Sequence, residues 1–207
     1  MPNTFFITGI GTEVGKTVVA AIVTQAMEAD YWKPVQAGDL DHSDTHKIQK
    51  LVSSDKTYYH KNAYALKTPM SPHAAAEIDG IKIEVKKMKR PRTENDLVIE
   101  GAGGLLVPLN DKETIMELIA KEDMVVLVSR HYLGSINHTL LSIEALKSRS
   151  IEKIGVIFSG DEHPTTEAAI RKIGKVKIIG RIDEEPYFDD MVIKEYAEKF
   201  RKELCEI

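Results

Sequence analysis

The chain has 207 residues, 43% of them hydrophobic and 29% charged, enough apolar material for one well-filled core and the length of a single domain spanning 1–207. Its 28 Lys and Arg against 32 Asp and Glu leave a net charge of −4, which argues against general nucleic-acid or anionic-membrane binding. One cysteine, Cys205, excludes an internal disulfide and a multi-cysteine metal site; the absence of a long apolar stretch or a secretory leader sets the expectation of a cytoplasmic protein.

In chain order, TFFIT (Thr4–Thr8) reads as a buried strand, and Thr17–Met27 as a helix that is apolar nearly all round. YWKP (Tyr31–Pro34) reads as a strand whose end carries Lys33. The stretch from Asp39 to Arg92 is less periodic, contains Pro69, Pro72 and Pro91, and reads as loops and short helices over a sheet edge. A strand through Leu97–Ile99 follows and ends at Glu100 before a glycine turn. Met124–Val128, Ile154–Phe158 and Val176–Ile179 are further apolar strands. Between and after them, Ile136, Leu140, Ile143 and Leu146 mark one helix, and Val192, Tyr196, Phe200 and Leu204 another. Unbroken apolarity suits strands covered on both faces, so the expected class is α/β, a mostly parallel sheet with helices on both faces.

The strongest motif is TFFITGIGTEVGKT, Thr4 to Thr17. A strand runs through a glycine-containing loop into a helix, whose N–H groups form a cradle for phosphate oxygens. Lys16 is placed to meet the outer phosphates, and the Thr17 hydroxyl to hold Mg²⁺. The strict pattern has glycine where this chain has Ile10, with Gly9 and Gly11 on either side, so the loop is a variant; a chance GKT at a helix start is the bland alternative. DLVIEGAGG (Asp96–Gly104) adds Glu100 at the C-terminal end of a strand, where open α/β sheets present ligands, although an exposed strand-end acid has the same pattern. Lys33 needs an anionic partner if it is buried; otherwise it is a snorkelling edge lysine. Nucleotide hydrolysis or phosphoryl transfer accounts for these segments together.

GTEVGKT, KPVQAG, HSD (His42–Asp44), SPH (Ser71–His73), EGAGG and LGSIN (Leu133–Asn137) occur in the order found in the dethiobiotin synthetases, and the chain resembles that family from Thr8 to about Asn137. The resemblance implies a P-loop NTPase-like fold and an ATP-dependent ring closure. In that reaction CO₂ is captured on one amine of 7,8-diaminononanoate, the carbamate attacks the γ-phosphate of ATP, and the second amine closes a cyclic urea. It further implies catalytic roles for Lys16, Lys33 and Thr12, and Mg²⁺ among Thr17, Asp44 and Glu100. Glu13, Val14, Gly15 and Val18 would lie along the phosphates, with Gly101, Ala102 and Gly103 beside them. Ala37, Ser71 and Pro72 would line the diamine side. Gly134, Ser135 and Asn137 would reach the diamine's carboxylate across a homodimer interface.

Three positions depart from the family pattern. Ala37 stands where many members carry Ser or Thr, Ser159-Gly160 where an Asn-Asp pair helps read adenine, and Asp183 where Pro is frequent. Ser159 and backbone groups at Ile182, Asp183 and Glu184 are then expected to meet the base. A switch ATPase of the partitioning and positioning type is the alternative, but such proteins usually carry an extra lysine where this chain has Ile10 and Gly11. A glutamine-dependent amide ligase would need an amidotransferase domain for which the chain has no room. The acid-rich Asp39–His46 segment, with its His42-x₃-His46 spacing, reads as a solvated loop with only Asp44 near Mg²⁺. The basic run Lys82–Arg92 reads as a solvated helix face, Cys205 as a thiol at a fraying end, and Trp32, Tyr58, Tyr59 and Tyr64 as packing residues.

Overall fold

Phe5, Phe6 and Ile7 have no exposed surface, so the first strand is covered on both faces, with Phe5 and Ile7 packed in one core and Phe6 in another. This is the structural meaning of its unbroken apolarity. The computed structural model describes residues 2–207. β1 (Thr4–Gly9) leads into α1 (Lys16–Met27), followed by β2 (Asp30–Trp32), β3 (Val35–Ala37), α2 (Asp44–Leu51), β4 (Tyr59–His60), β5 (Tyr64–Leu66) and α3 (Pro72–Ile78). Then come β6 (Leu97–Gly104), β7 (Met124–Arg130), α4 (Ser135–Ser148), β8 (Ile154–Ser159), α5 (Pro164–Gly174), β9 (Lys177–Ile182) and α6 (Asp190–Cys205). Seven strands form one parallel sheet in the order β4-β2-β6-β1-β7-β8-β9. α1, α2 and α6 cover one face; α4 and α5 lie on the other beside the irregular segments around Ile83 and Ile115. Because the strands are parallel, all their C-terminal ends share one rim. No helix is long and apolar enough to cross a membrane among the described residues.

Three local expectations are corrected, and one helix, α5, is not among the expected elements. The glycine turn after Glu100 is strand: β6 continues to Gly104 and pairs Gly9 with Gly104 after a register shift. The Asp39–Arg92 segment contributes an edge strand, β4, and β5, which pairs with the preceding β3 in a second small parallel sheet, besides the expected short helices. These strands are only two and three residues long, too short for a periodic signal. The basic run is no helix face. It makes a single 3₁₀ turn at Val85–Lys87 between the buried Ile83 and Met88, and Arg90 turns inward to Asp123. α5 had no distinctive pattern because only Ile170 and Gly174 of its eleven residues are buried.

Candidate active site

Gly15 has φ 95°, a left-handed conformation open to glycine at little cost, and it ends the loop so that α1 starts without a side-chain cap. The first N–H groups of the helix therefore point unpaired toward the cleft, where they suit an anion. Lys16 folds back so that Nζ donates to the Gly11 carbonyl at 2.7 Å. Burial pushes its ammonium down to about 8, with Glu100 opposing and Lys33 adding to the shift. A lysine whose ammonium is disfavoured by burial gains from an incoming polyanion.

The next strand ends carry the opposite charge. Lys33, the residue after β2, places Nζ 2.6 Å from Asp44 Oδ2 and 2.9 Å from Glu100 Oε1. Lys33 is 5% exposed and Glu100 is 1% exposed, which rules out the edge lysine and the exposed strand-end acid. Burial alone would lower the Lys33 pKa; Glu100 and Asp44 outweigh it and hold the ammonium above its ordinary range. Asp44 is likewise partly desolvated, yet Lys33 and then Lys47 keep its carboxyl below the usual range. Glu100 accepts two more bonds, from Thr17 Oγ1 at 3.0 Å and from the buried Tyr31 hydroxyl at 2.8 Å. Burial, reinforced by Glu100, raises the Tyr31 phenol far above its normal value, so it stays a donor. Asp44 is delivered by the first turn of α2, where Ser43 and His46 form a capping box and the Asp44 amide donates to Gln36 Oε1.

These groups open onto a cleft of about 880 Å³. The wall beyond Lys33 contains Ala37, Met70, Ser71, Pro72, Thr12, Gly103 and Val107. Gly38 fixes this wall: it has φ 71°, and a β-carbon there would lie 2.5 Å from Pro69 Cβ. The opposite end carries Ser159, Ile182, Asp183, Glu184, Arg130 and Phe188.

Thr12, Glu13, Gly15, Lys16, Thr17, Val18, Lys33, Ala37, Asp44, Ser71, Pro72, Glu100, Ala102, Gly103, Ser159, Ile182, Asp183 and Glu184 all line the cleft. Val14 does not, being buried in the core under α1, nor does Gly101, which packs against Phe6 and Ile115. Gly134, Ser135 and Asn137 sit at the start of α4, away from the cleft of their own chain. Tyr31, Gln36, Lys47, Arg130 and Phe188 escaped the sequence reading. Of these only Arg130 had a usable signal, a charge separated by one residue from the apolar run Met124–Val128, close to the signature that singled out Glu100.

Residues 3–192 match the AAA domain family. The chain is 76% identical, over the full length of both, to the ATP-dependent dethiobiotin synthetase BioD of Christiangramia forsetii. It is 47% identical to the enzyme of the same name from Cytophaga hutchinsonii, over 94% of this chain and 95% of that one. Among solved structures, the MinC:MinD cell division protein complex of Aquifex aeolicus aligns with TM-score 0.59 at 14% identity, covering 99% of this chain and 96% of that one. A ParA family ATPase from Chlorobium tepidum aligns with TM-score 0.53 at 13% identity, covering 95% and 98%. At such identities these two likenesses concern the fold alone, a P-loop NTPase-like parallel sheet. The sequence relatives carry the specific conclusion: this chain belongs to the ATP-dependent dethiobiotin synthetases.

Proposed function

We propose that the cleft performs the ATP-dependent carboxylation and ring closure of 7,8-diaminononanoate with CO₂ to dethiobiotin, a step of biotin biosynthesis, with the phosphates at Lys16 and the nascent carbamate at Lys33. The observation that supports this placement best is the buried Lys33 ammonium, 2.9 Å from Glu100, which itself touches Thr17 of the phosphate-binding helix. Carbamate and γ-phosphate are both anions, and two unit charges about 4 Å apart repel by about 4 kcal/mol at an effective dielectric of 20. Lys16 and Lys33 sit at the two ends of that contact and offset the repulsion as the groups approach. Lys33 and Lys16 also disfavour a second ammonium nearby, which helps keep the accepting amine neutral for CO₂.

Asp44 Oδ2 and Glu100 Oε1 meet at the Lys33 ammonium and Thr17 Oγ1 donates to the same Glu100 oxygen, an all-oxygen set of the kind Mg²⁺ takes alongside phosphate oxygens. These three residues would hold it, and when bound it supplies further positive charge to the triphosphate. Glu13, Gly15 and Val18 flank the phosphates, while Val14 and Gly101 support the loop and strand from behind. Thr12, Ser71 and Pro72 bound the diamine, and Ala37 offers it only a methyl group. Gly134, Ser135 and Asn137 serve the cleft of a second copy, which makes the working unit a homodimer; the fully exposed Leu133 beside them supports that reading. Small-molecule substrates and a cytoplasmic setting, with neither nucleic acid nor membrane as partner, complete the proposal.

The direct test is transfer of labelled bicarbonate into an acid-stable product by the purified chain with diaminononanoate, ATP and Mg²⁺. Incorporation that requires all three is expected. A folded, ATP-binding sample that incorporates nothing would refute the proposal and revive a switch ATPase.

A further inference from the structure

Three parallel strands end side by side where the cleft extends past Gly15. Arg130 at the end of β7 is in register with Ser159 of β8, and Ser159 with Ile182 of β9. This rim adjoins the phosphate loop, since a β-carbon added to Gly15 would lie 3.3 Å from Ser159 Oγ. The Arg130 guanidinium donates to Glu184 Oε1 at 2.7 Å, and both side chains are about half exposed, at 44% and 53%. So exposed a pair adds little stability. Its effect is to hold a planar cation by one contact at the cleft, with nearly half of the side chain still exposed.

Several of the groups that could read the edge of a base are already engaged, while Ser159 Oγ and the Glu184 amide make no hydrogen bond among the described residues. The Asp183 carboxylate accepts from Arg181 Nε at 2.9 Å, and the Asp183 amide donates to the Tyr196 hydroxyl at 3.1 Å. The Ile182 carbonyl accepts from the Gly160 amide at 2.9 Å, and Gly160 has no side chain to offer. Backbone contacts at Ile182 and Asp183, expected from the sequence, therefore have competitors already in place. Apart from Ser159 Oγ and the Glu184 amide, this end of the cleft offers a flat guanidinium together with Ile182 and Phe188. Such a rim suits the face of a ring rather than a pattern of donors and acceptors.

We propose that Arg130, oriented by Glu184, seats the base of the nucleotide by stacking on its face, so that the cleft selects bases by ring area and favours purine over pyrimidine. The proposal rests on the ATP reading above and deepens it by naming the residue that sets nucleotide preference.

The test compares wild type, Arg130→Ala, Arg130→Lys and Glu184→Gln in the bicarbonate assay with ATP and with CTP. Calorimetric binding of ATP and of inorganic tripolyphosphate, which has no base, runs alongside. For Arg130→Ala the KM for ATP is expected to rise about 5- to 20-fold with kcat changed by no more than about twofold. The KM for CTP should rise less, so the preference for ATP narrows, and tripolyphosphate affinity should be unchanged. Arg130→Lys should fail to restore the ATP KM, because an ammonium has no plane to stack, and Glu184→Gln should shift it part of the way. Restoration by lysine, a parallel loss of tripolyphosphate affinity, or equal losses for ATP and CTP would each overturn the stacking role. A wild-type chain that binds neither ATP nor tripolyphosphate would instead overturn the ATP reading, and this proposal with it.

Discussion

An ammonium stripped of water costs several kcal/mol unless its charge is matched at close range. At Lys33 the match is double: Asp44 on one side and Glu100 on the other, with Tyr31 and Thr17 satisfying further oxygen lone pairs of Glu100. The arrangement holds a positive charge at a fixed point in the cleft without exposing it to screening. Removing it should leave the phosphate side intact and the carbamate side unsupported. Lys33→Ala is expected to lower kcat by about 10³-fold, the equivalent of the roughly 4 kcal/mol of repulsion between neighbouring anions. ATP affinity, measured calorimetrically, should change by less than about tenfold in the same variant. Equal losses in both would reassign Lys33 to the nucleotide. Stability needs its own measurement, because the variant leaves two buried acids without their shared cation.

Single elements are tied together by similar polar closures at the other end of the sheet. Asp30 opens β2, and its buried carboxylate accepts from the Tyr58 amide at 3.1 Å and Asn95 Nδ2 at 3.0 Å, with His60 Nε2 at 3.1 Å. This one side chain clamps β2 to the edge strand β4 and to the turn before β6. Burial acts to raise its pKa, but Asn95, Thr93, the Tyr58 amide and His60 together bring it below the ordinary value of 3.8. A depressed carboxylate pKa means the folded state binds its proton less readily than the unfolded chain. The associated stability is therefore present above pH 3.8 and is lost as the pH falls through the lower, folded-state value. Asp30→Asn should cost about 1–3 kcal/mol at pH 7 by urea unfolding, with the gap to wild type narrowing below about pH 4. A gap that stays constant across that range would show that the clamp works without its charge.

At the scale of the whole molecule, the start of α4 presents Tyr132, Leu133, Ile136 and Leu141 to solvent, with Leu133 fully exposed. Gly134, Ser135 and Asn137, which share this segment, are off their own cleft. Burial of that surface by a second copy is expected to give a species of twice 23.2 kDa in sedimentation equilibrium, with or without nucleotide. Leu133→Asp should shift it toward monomer and lower activity in step. A fully active monomer would remove the second copy from the site, and a dimer seen only with nucleotide would favour switch behaviour.

What could be read without coordinates was whatever lies contiguous in the chain. The strand, loop and helix from Thr4 to Met27 depend on neighbouring residues and announce themselves by hydrophobic pattern and glycine placement. So does an acid at the end of an apolar strand, as at Glu100. The pairing of Lys33 with Asp44 and Glu100 was not legible as a pairing, because nothing local states that the first turn of α2 returns to the end of β2. Nor was α5, whose helix is held by two buried contacts rather than by a full apolar face. The sequence by itself determined the sheet class, the phosphate loop and, through its relatives, the family. Only the tertiary structure decided whether Lys33 was buried, which acids neutralise it, and that Arg130 stands over the cleft. Burial and charge pairing are properties of distance in space, and parallel strand order brings together residues that chain order keeps apart.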